Sequence, residues 1–499
     1  MNQANPNLRW PGGGIDSGFT LLPETLKKGG YECHFLGKWH AGLVDENFVP
    51  TKRGFDSWLG FFGGSEDHFT QVRSEGKAGS RRDLWMDVNG DGGGPARKLA
   101  GTAFTDDLFA NRFDDLCSQL EKPLFLYYAY QCVHDPLQAP KALLRKYAAK
   151  ILSPAKQKNY RKDAVETKVE QRKIDAALSA KASRRRLTYM AMVSYVDESV
   201  ARVEKTLKAN GLWDNTFLLF LSDNGGASAT DADSSTNYPL RGGKYSDFEG
   251  GVRTVAFATG GYLPRQQRGR RFDDLVNHRV SIADWYATFL DMATIKEEDT
   301  KAAKAGLPPM DSVSVLPLIL GNSNAPVLRQ ELVLTAGDIP ESDIMPGSRG
   351  ALLSGKFKLL FGNQKPAVFP VTQYPKQGVT LEPLVVDCGD AQRREGCLFD
   401  LEADPQERTD IAKLRPDVTR NLTQRYIHLA KFAYQTPRLR ISYDLRKMKD
   451  LYATMDKRCG GFWCPYTNLS ATDLIRKDLK QPYFAFFMEE EVEKKKTPR

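Results

Sequence analysis

At 499 residues the chain is too long for one small domain and points to two or three. Hydrophobic residues make up 41% and charged residues 27%, which excludes a disordered or fibrous chain; the longest apolar runs, such as Leu124–Tyr130, are too short to cross a bilayer as a helix. The net charge of +9 would suit a nucleic-acid binder, but Lys141–Arg186 alone holds 15 Lys and Arg against 4 Asp and Glu, leaving the remainder slightly negative, and no nucleic-acid-binding motif accompanies that stretch.

The opening residues, MNQANPNLRWPGGG, lack a basic region followed by an apolar stretch, so no signal peptide is expected in the chain as given. Leu22–Lys28 reads as a short helix opened near Pro23 and stopped by Gly29-Gly30. Tyr31–Leu36 follows as a strand and Thr105–Leu120 as a helix with an Asp pair in its first turn. Leu124–Tyr130, bounded by Pro123, is apolar on both faces, as a strand of a buried parallel sheet is. Tyr189, Val193, Val196, Val200, Val203 and Leu207 recur at steps of three and four, predicting a helix capped by Asn210-Gly211. Phe217–Leu221 is another buried strand. The alternation predicts an α/β fold: a doubly wound, mostly parallel sheet with helices on both faces.

Beyond Asn324 the pattern changes to short strands, Glu331–Leu334 and Lys356–Phe361, and a helix at Pro416–Ala433. The expected organisation is therefore a catalytic-type α/β domain over 1–324, carrying a basic insertion at 141–186, a smaller α+β domain over 325–440, and an extension over 441–499 ending in a solvated charged tail. Of seven cysteines, Cys388/Cys397 and Cys459/Cys464 are spaced to close short loops in an oxidising compartment, and an odd total leaves at least one thiol over.

In open parallel sheets ligands bind beyond the carboxyl ends of the strands. Three predicted strands deliver polar residues there: Gly37-Lys38-Trp39-His40, Gln131-Cys132-Val133-His134-Asp135-Pro136 and Ser222-Asp223-Asn224-Gly225-Gly226, with Leu240-Arg241-Gly242-Gly243-Lys244 soon after. Asp223 and Asn224 offer hard oxygen donors suited to Ca²⁺ or Mg²⁺. Lys38 and Lys244 are point charges suited to a tetrahedral oxyanion, and His40 and His134 can move protons near neutral pH. Together they would stabilise charge growing on a sulfate or phosphate ester as it is cleaved. Singly, each reads as a turn, a packed ring or a surface charge, so the expectation rests on all of them meeting in one pocket.

The stretches GKWH (37–40), TKRGFDSWLGFFGGSEDHF (51–69), PLFLYYAYQCVHDPLQAP (123–140), GLWDNTFLLFLSDNGG (211–226), YPLRGGKYSDFEGGVR (238–253) and CLFDLEADPQERTDIA (397–412) resemble the sulfatase family, within the alkaline-phosphatase-like fold. VHDPLQAP, GLWDNT and the Lys244 loop resemble most the arylsulfatase B (N-acetylgalactosamine-4-sulfatase) group. The resemblance implies a sulfuric ester hydrolase acting on a sulfated polysaccharide or glycosaminoglycan in a secreted or lysosomal setting, with Ca²⁺ as cofactor. It assigns Asp223 and Asn224 to the metal, Lys38 and His40 to contacts with the nucleophile, and His134 and Lys244 to the sulfate and the leaving ester oxygen. The family also carries an Asp-Asp pair and a Cys-x-Pro-x-Arg motif, whose Cys becomes the formylglycine nucleophile, upstream of GKWH. The 36 residues before Gly37 contain neither, and no Cys elsewhere has the pattern.

An N-terminally truncated reading of a longer gene, with impaired catalysis, is therefore expected, with a non-catalytic binder of sulfated glycans or a phosphoester or phosphonate hydrolase on the same fold as alternatives. The basic insertion reads as partly helical, a solvated segment or a docking strip for sulfated polysaccharide. Asn421-Leu422-Thr423 and Asn468-Leu469-Ser470 are glycosylation sequons.

Overall fold

The computed structural model describes residues 14–43, 46–74, 79–88, 90, 93–152, 181–227, 234–268, 279–296, 299–322, 329–336, 349–369, 385–390, 395–432 and 453–465. The charged tail, the second sequon and the middle of the basic insertion lie outside the described residues. Two compact units divide the chain: 1–131 with 293–311 and 434–499, and 132–292 with 312–433.

The first unit begins with helix α1 (Leu22–Lys28). Pro23 opens it, the Glu24 carboxylate accepts from the Leu21 N–H at 2.7 Å, and Gly30, at φ +84°, turns the chain out. Strand β1 (Glu32–Lys38) follows. It pairs in parallel with β2 (Ser57–Phe61) on one side and β5 (Leu124–Ala129) on the other. Beyond β2 the sheet continues antiparallel through β3 (Trp85–Asp87) and β4 (Gly94–Pro95), so its centre is parallel and its margin is not. Cys33, Phe35 and Leu36 are buried in sequence, as a strand covered on both faces requires.

Gly37 is fixed by geometry. Its φ is +97°, and a Cβ there would fall 1.9 Å from the Ala129 carbonyl oxygen. Strand β1 runs two residues further than the apolar pattern suggests, to Lys38, because the pairing of Lys38 with Phe61 continues the ladder. Helix α2 (Thr105–Ser118) buries Leu108, Phe109 and Phe113. Residues 453–465 of the expected extension belong to this unit. Their disulfide Cys459–Cys464 closes a turn on this unit, where Arg81 binds Asp456 through two bonds of 2.8 and 2.6 Å. Trp463, 1% exposed, lies under Arg73, with the guanidinium 4.8 Å from its ring centre.

In the second unit helices α3 (Lys141–Leu152) and α4 (Lys181–Ala209) pack together and share the ion pair Lys146–Glu198 at 3.0 Å. These helices cover both ends of the basic insertion, which is helical there as its composition predicts. Gly211, at φ +70°, ends α4. Strand β6 (Leu218–Leu221) pairs antiparallel with β7 (Ala256–Thr259) in a two-stranded sheet. Between them lies the one-turn helix α5 (Glu249–Val252).

The C-terminal part of this unit is a four-stranded antiparallel sheet, β8 (Glu331–Thr335), β9 (Gly350–Ser354), β10 (Phe357–Phe361) and β11 (Cys397–Asp400) in spatial order. Alternation sends Leu352, Leu359, Phe361 and Leu398 against helix α6 (Pro416–Ala430), and Ala351, Leu353, Leu360 and Phe399 against Phe248. The disulfide Cys388–Cys397 sits in the second cluster. Three cysteines remain as thiols, Cys33, Cys117 and Cys132. The first sequon lies within α6, with Asn421 exposed and Thr423 buried. No helix among the described residues is long and apolar enough to cross a membrane.

Candidate active site

Lys38 ends β1 and is half-buried, as is His40. Two backbone bonds continue the strand's course past its end, Trp39 N–H to Phe61 O at 2.9 Å and His40 N–H to Phe62 O at 3.2 Å. Trp39 is packing, as its ring suggests: it is buried, donates to Phe48 O at 2.8 Å and meets Phe35 edge-on. His40 adopts φ +50°, a conformation that costs a non-glycine residue energy and has to be held by its surroundings. Gly64 makes room for its ring: a Cβ there would stand 3.3 Å from Cε1 and Nε2.

The strand that leads to His134 is held from below by a buried polar group that the sequence reading missed. Asp106, in the first turn of α2, accepts the Gln131 N–H at 3.0 Å, and the Gln131 amide donates a short bond to Glu66 O. Thr105 Oγ1 donates to Glu66 Oε1 at 3.1 Å. Burial, with Asp83 close by, pushes the Glu66 carboxyl well above the usual carboxylate range. The one readable signal was the Asp pair at the helix start.

In the second unit the structure brings His134 and Lys244 together, 110 residues apart in sequence, with Lys244 Nζ 3.5 Å from His134 Nε2. His134 Nδ1 lies 2.8 Å from the Asp135 carbonyl oxygen, which can only accept. Nδ1 therefore carries a proton, and in the neutral ring Nε2 turns its lone pair towards the ammonium group. A cation and an imidazole side by side are a pairing suited in kind to an oxyanion and to a leaving oxygen that needs a proton.

The Asp223–Asn224 turn is stitched to the Lys244 loop. Lys244 N–H donates to Gly226 O at 3.0 Å and Gly225 N–H to Gly251 O at 2.9 Å. Asn237, also missed in the sequence, clamps both: it accepts from Gly226 N–H at 2.8 Å and donates to Gly226 O at 3.0 Å and Gly242 O at 3.1 Å. Asp223 is exposed, while Asn224 donates an amide N–H to Gly225 O at 2.8 Å, so its Oδ1 is the atom of a kind that ligates a metal. The pair suits a hard divalent cation in kind, yet two oxygen ligands fall short of the about 6–8 that Ca²⁺ takes. Elsewhere, His68 and Asp106 of the first unit have ligand-type atoms within 4.8 Å of each other.

Human N-acetylgalactosamine-6-sulfatase is 29% identical over 317 residues, 62% of this chain and 50% of that protein. Arylsulfatase J of Mus musculus is 32% identical over 274 residues, 54% of this chain and 38% of that protein. The chain thus spans half or less of the length of these relatives. The crystal structure of Ps i-CgsB in complex with k-i-k-neocarrahexaose shares the fold, with a TM-score of 0.60 at 22% identity over 92% of this chain and 84% of that one. The sequence model of the family described as Sulfatase matches residues 1–295, well over half of the chain, and the protein belongs to the sulfatase family.

Proposed function

We propose that the protein is a sulfuric ester hydrolase by descent whose second unit receives the sulfate group of a sulfated polysaccharide or glycosaminoglycan. The observation that carries this reading is the 3.5 Å approach of Lys244 Nζ to His134 Nε2, on a loop bonded to the Asp223–Asn224 turn. The names of N-acetylgalactosamine-6-sulfatase and of the neocarrahexaose complex support a sugar as the sulfate carrier. In this reading His134 and Lys244 hold the sulfate and the departing oxygen, Lys38 and His40 serve the nucleophile, and Asp223 and Asn224 are part of the shell of a Ca²⁺ ion. The disulfides Cys388–Cys397 and Cys459–Cys464 support a secreted or lysosomal setting.

Because these 499 residues hold no Cys-x-Pro-x-Arg, a protein made of them alone turns over little substrate and acts as a binder of sulfated glycan. Calorimetry with inorganic sulfate and with a sulfated disaccharide tests the binding, beside a chromogenic aryl sulfate assay with added Ca²⁺. Binding that weakens about tenfold or more in Lys244→Ala, with turnover at background, is the expected result. Turnover far above background and abolished in His134→Ala would overturn the impaired-catalysis reading; sulfate affinity unchanged in Lys244→Ala would overturn the site.

A further inference from the structure

Strand β10 reads Phe-Lys-Leu-Leu-Phe, and its lysine points into the core. Lys358 is 0% exposed and lies on the sheet face shared by Leu360, towards Phe248. Its ammonium group sits between two carboxylates, 3.0 Å from Glu249 Oε1 and 2.9 Å from Glu407 Oε1. Glu249 opens α5, just beyond Lys244. Glu407 lies in the loop after β11, 163 residues beyond Lys244 in sequence (407 − 244).

Both ends of the Lys244 loop are tied to Glu407. At one end Arg241 Nη1 donates to the Glu407 carbonyl at 2.8 Å, its guanidinium stacked between Phe248 and Phe369. At the other end Glu249 N–H donates to Glu407 Oε2 at 2.6 Å. Gly250 N–H then closes the loop on Arg241 O at 2.7 Å.

The contacts from this base to the site have no slack. A Cβ at Gly250 would lie 2.4 Å from Arg241 O, and one at Gly225 would lie 1.8 Å from Gly250 O. Backbone therefore touches backbone from Arg241 through Gly250 to Gly225, beside the Asp223–Asn224 turn. A displacement of Glu249 has nowhere to be absorbed before it reaches that turn and Lys244.

We propose that Lys358 is a positioning residue: by holding the Glu249 and Glu407 carboxylates together, it sets the placement of the Lys244 loop and of the 223–226 turn. The part concerning ligand affinity rests on Lys244 receiving a sulfate group; the part concerning loop placement does not.

The test is amide hydrogen exchange on the full chain, read peptide by peptide, in Lys358→Met and Glu407→Gln, with sulfate calorimetry beside it. Exchange in peptides covering 223–226 and 241–251 is expected to rise about tenfold, with that of α4 unchanged. Sulfate affinity is expected to fall about tenfold in Lys358→Met and by no further amount when Lys358→Met is added to Lys244→Ala. Uniform acceleration across the unit, unchanged exchange in both loops, or additive losses of affinity would overturn the proposal. If the parent protein binds no sulfate, the site reading fails while the exchange data still decide on positioning. If Lys358→Met does not fold, Glu407→Gln, which keeps the side-chain volume, carries the same measurement.

Discussion

Two stretches of chain present candidate site residues, and they are built on opposite principles. The Gly37–His40 stretch is the end of a strand buried on both faces, placed by ladder register and by aromatic packing of Phe35 and Trp39. The Lys244 loop has no strand to continue. It is placed by ion pairs, an asparagine clamp and glycine-to-carbonyl contacts. Register transmits no information about charge, so the first stretch should respond to volume and hardly to pH. The second should respond to both.

The largest effect is expected at Gly37→Ala, which adds a Cβ 1.9 Å from the Ala129 oxygen at a positive φ. A loss of about 4 kcal/mol or more in urea unfolding follows from combined strain and overpacking. A loss below about 1 kcal/mol would show that register there is softer than the geometry implies.

Next is the pH response of the ionic loop. Burial raises the Glu407 carboxyl to about 7, even though Lys358 pulls the other way. Between the unfolded value near 4.5 and about 7 the folded state keeps a proton that the unfolded chain releases. Stability from this group is thus complete below the unfolded value and declines as pH rises through about 7, by about 1.4 kcal/mol per unit at most. Urea midpoints from pH 5 to 8 should fall more steeply in the parent than in Glu407→Gln; equal slopes would remove the linkage.

A smaller change is expected for Asn237→Ala, which strips three bonds from the Gly226 and Gly242 peptide groups. About 2 kcal/mol of stability should be lost, with sulfate affinity falling alongside it. Stability lost with affinity intact would separate the clamp from the site.

The smallest effect belongs to the register side. The Cys33 N–H and Lys27, at 2.7 Å, hold the Asp56 carboxyl below its usual range despite some burial. Its contribution is present above the unfolded value and lost as pH falls through the folded one, opposite in sign to that of Glu407. With a third of the side chain in solvent, less than about 1 kcal/mol is at stake. A comparison of acid unfolding limbs in the parent and Asp56→Asn would measure it.

Much of the first stretch was legible because apolar runs and glycine stops are local signals. The helix at Leu22–Lys28 has the bounds its punctuation predicts, and Leu124–Tyr130 is a strand but for its last residue. The strand Ser57–Phe61 is not among the expected elements; it is short, and its partner lies 23 positions earlier in the chain. His134 and Lys244 could be nominated from strand-end chemistry, but Asn237, Glu249 and Glu407 could not. Their side-chain partners lie 49 to 109 residues away, or their partners are backbone atoms that no side-chain pattern encodes. The lysine inside Phe-Lys-Leu-Leu-Phe was the exception. An ammonium inside an otherwise apolar strand needs a buried carboxylate, and that clue was there to be read.

The disulfide-closed segment at 453–465 also bears on how the protein can be handled. Trp463 and Asp456 are seated against arginines from the chain's first hundred residues. Ending the polypeptide after α6 would therefore uncover a slot shaped for an indole and leave Arg81 without its carboxylate. Shortened versions meant to isolate the α/β unit should keep everything through Pro465, or they will measure the damage of trimming instead of the properties of the protein.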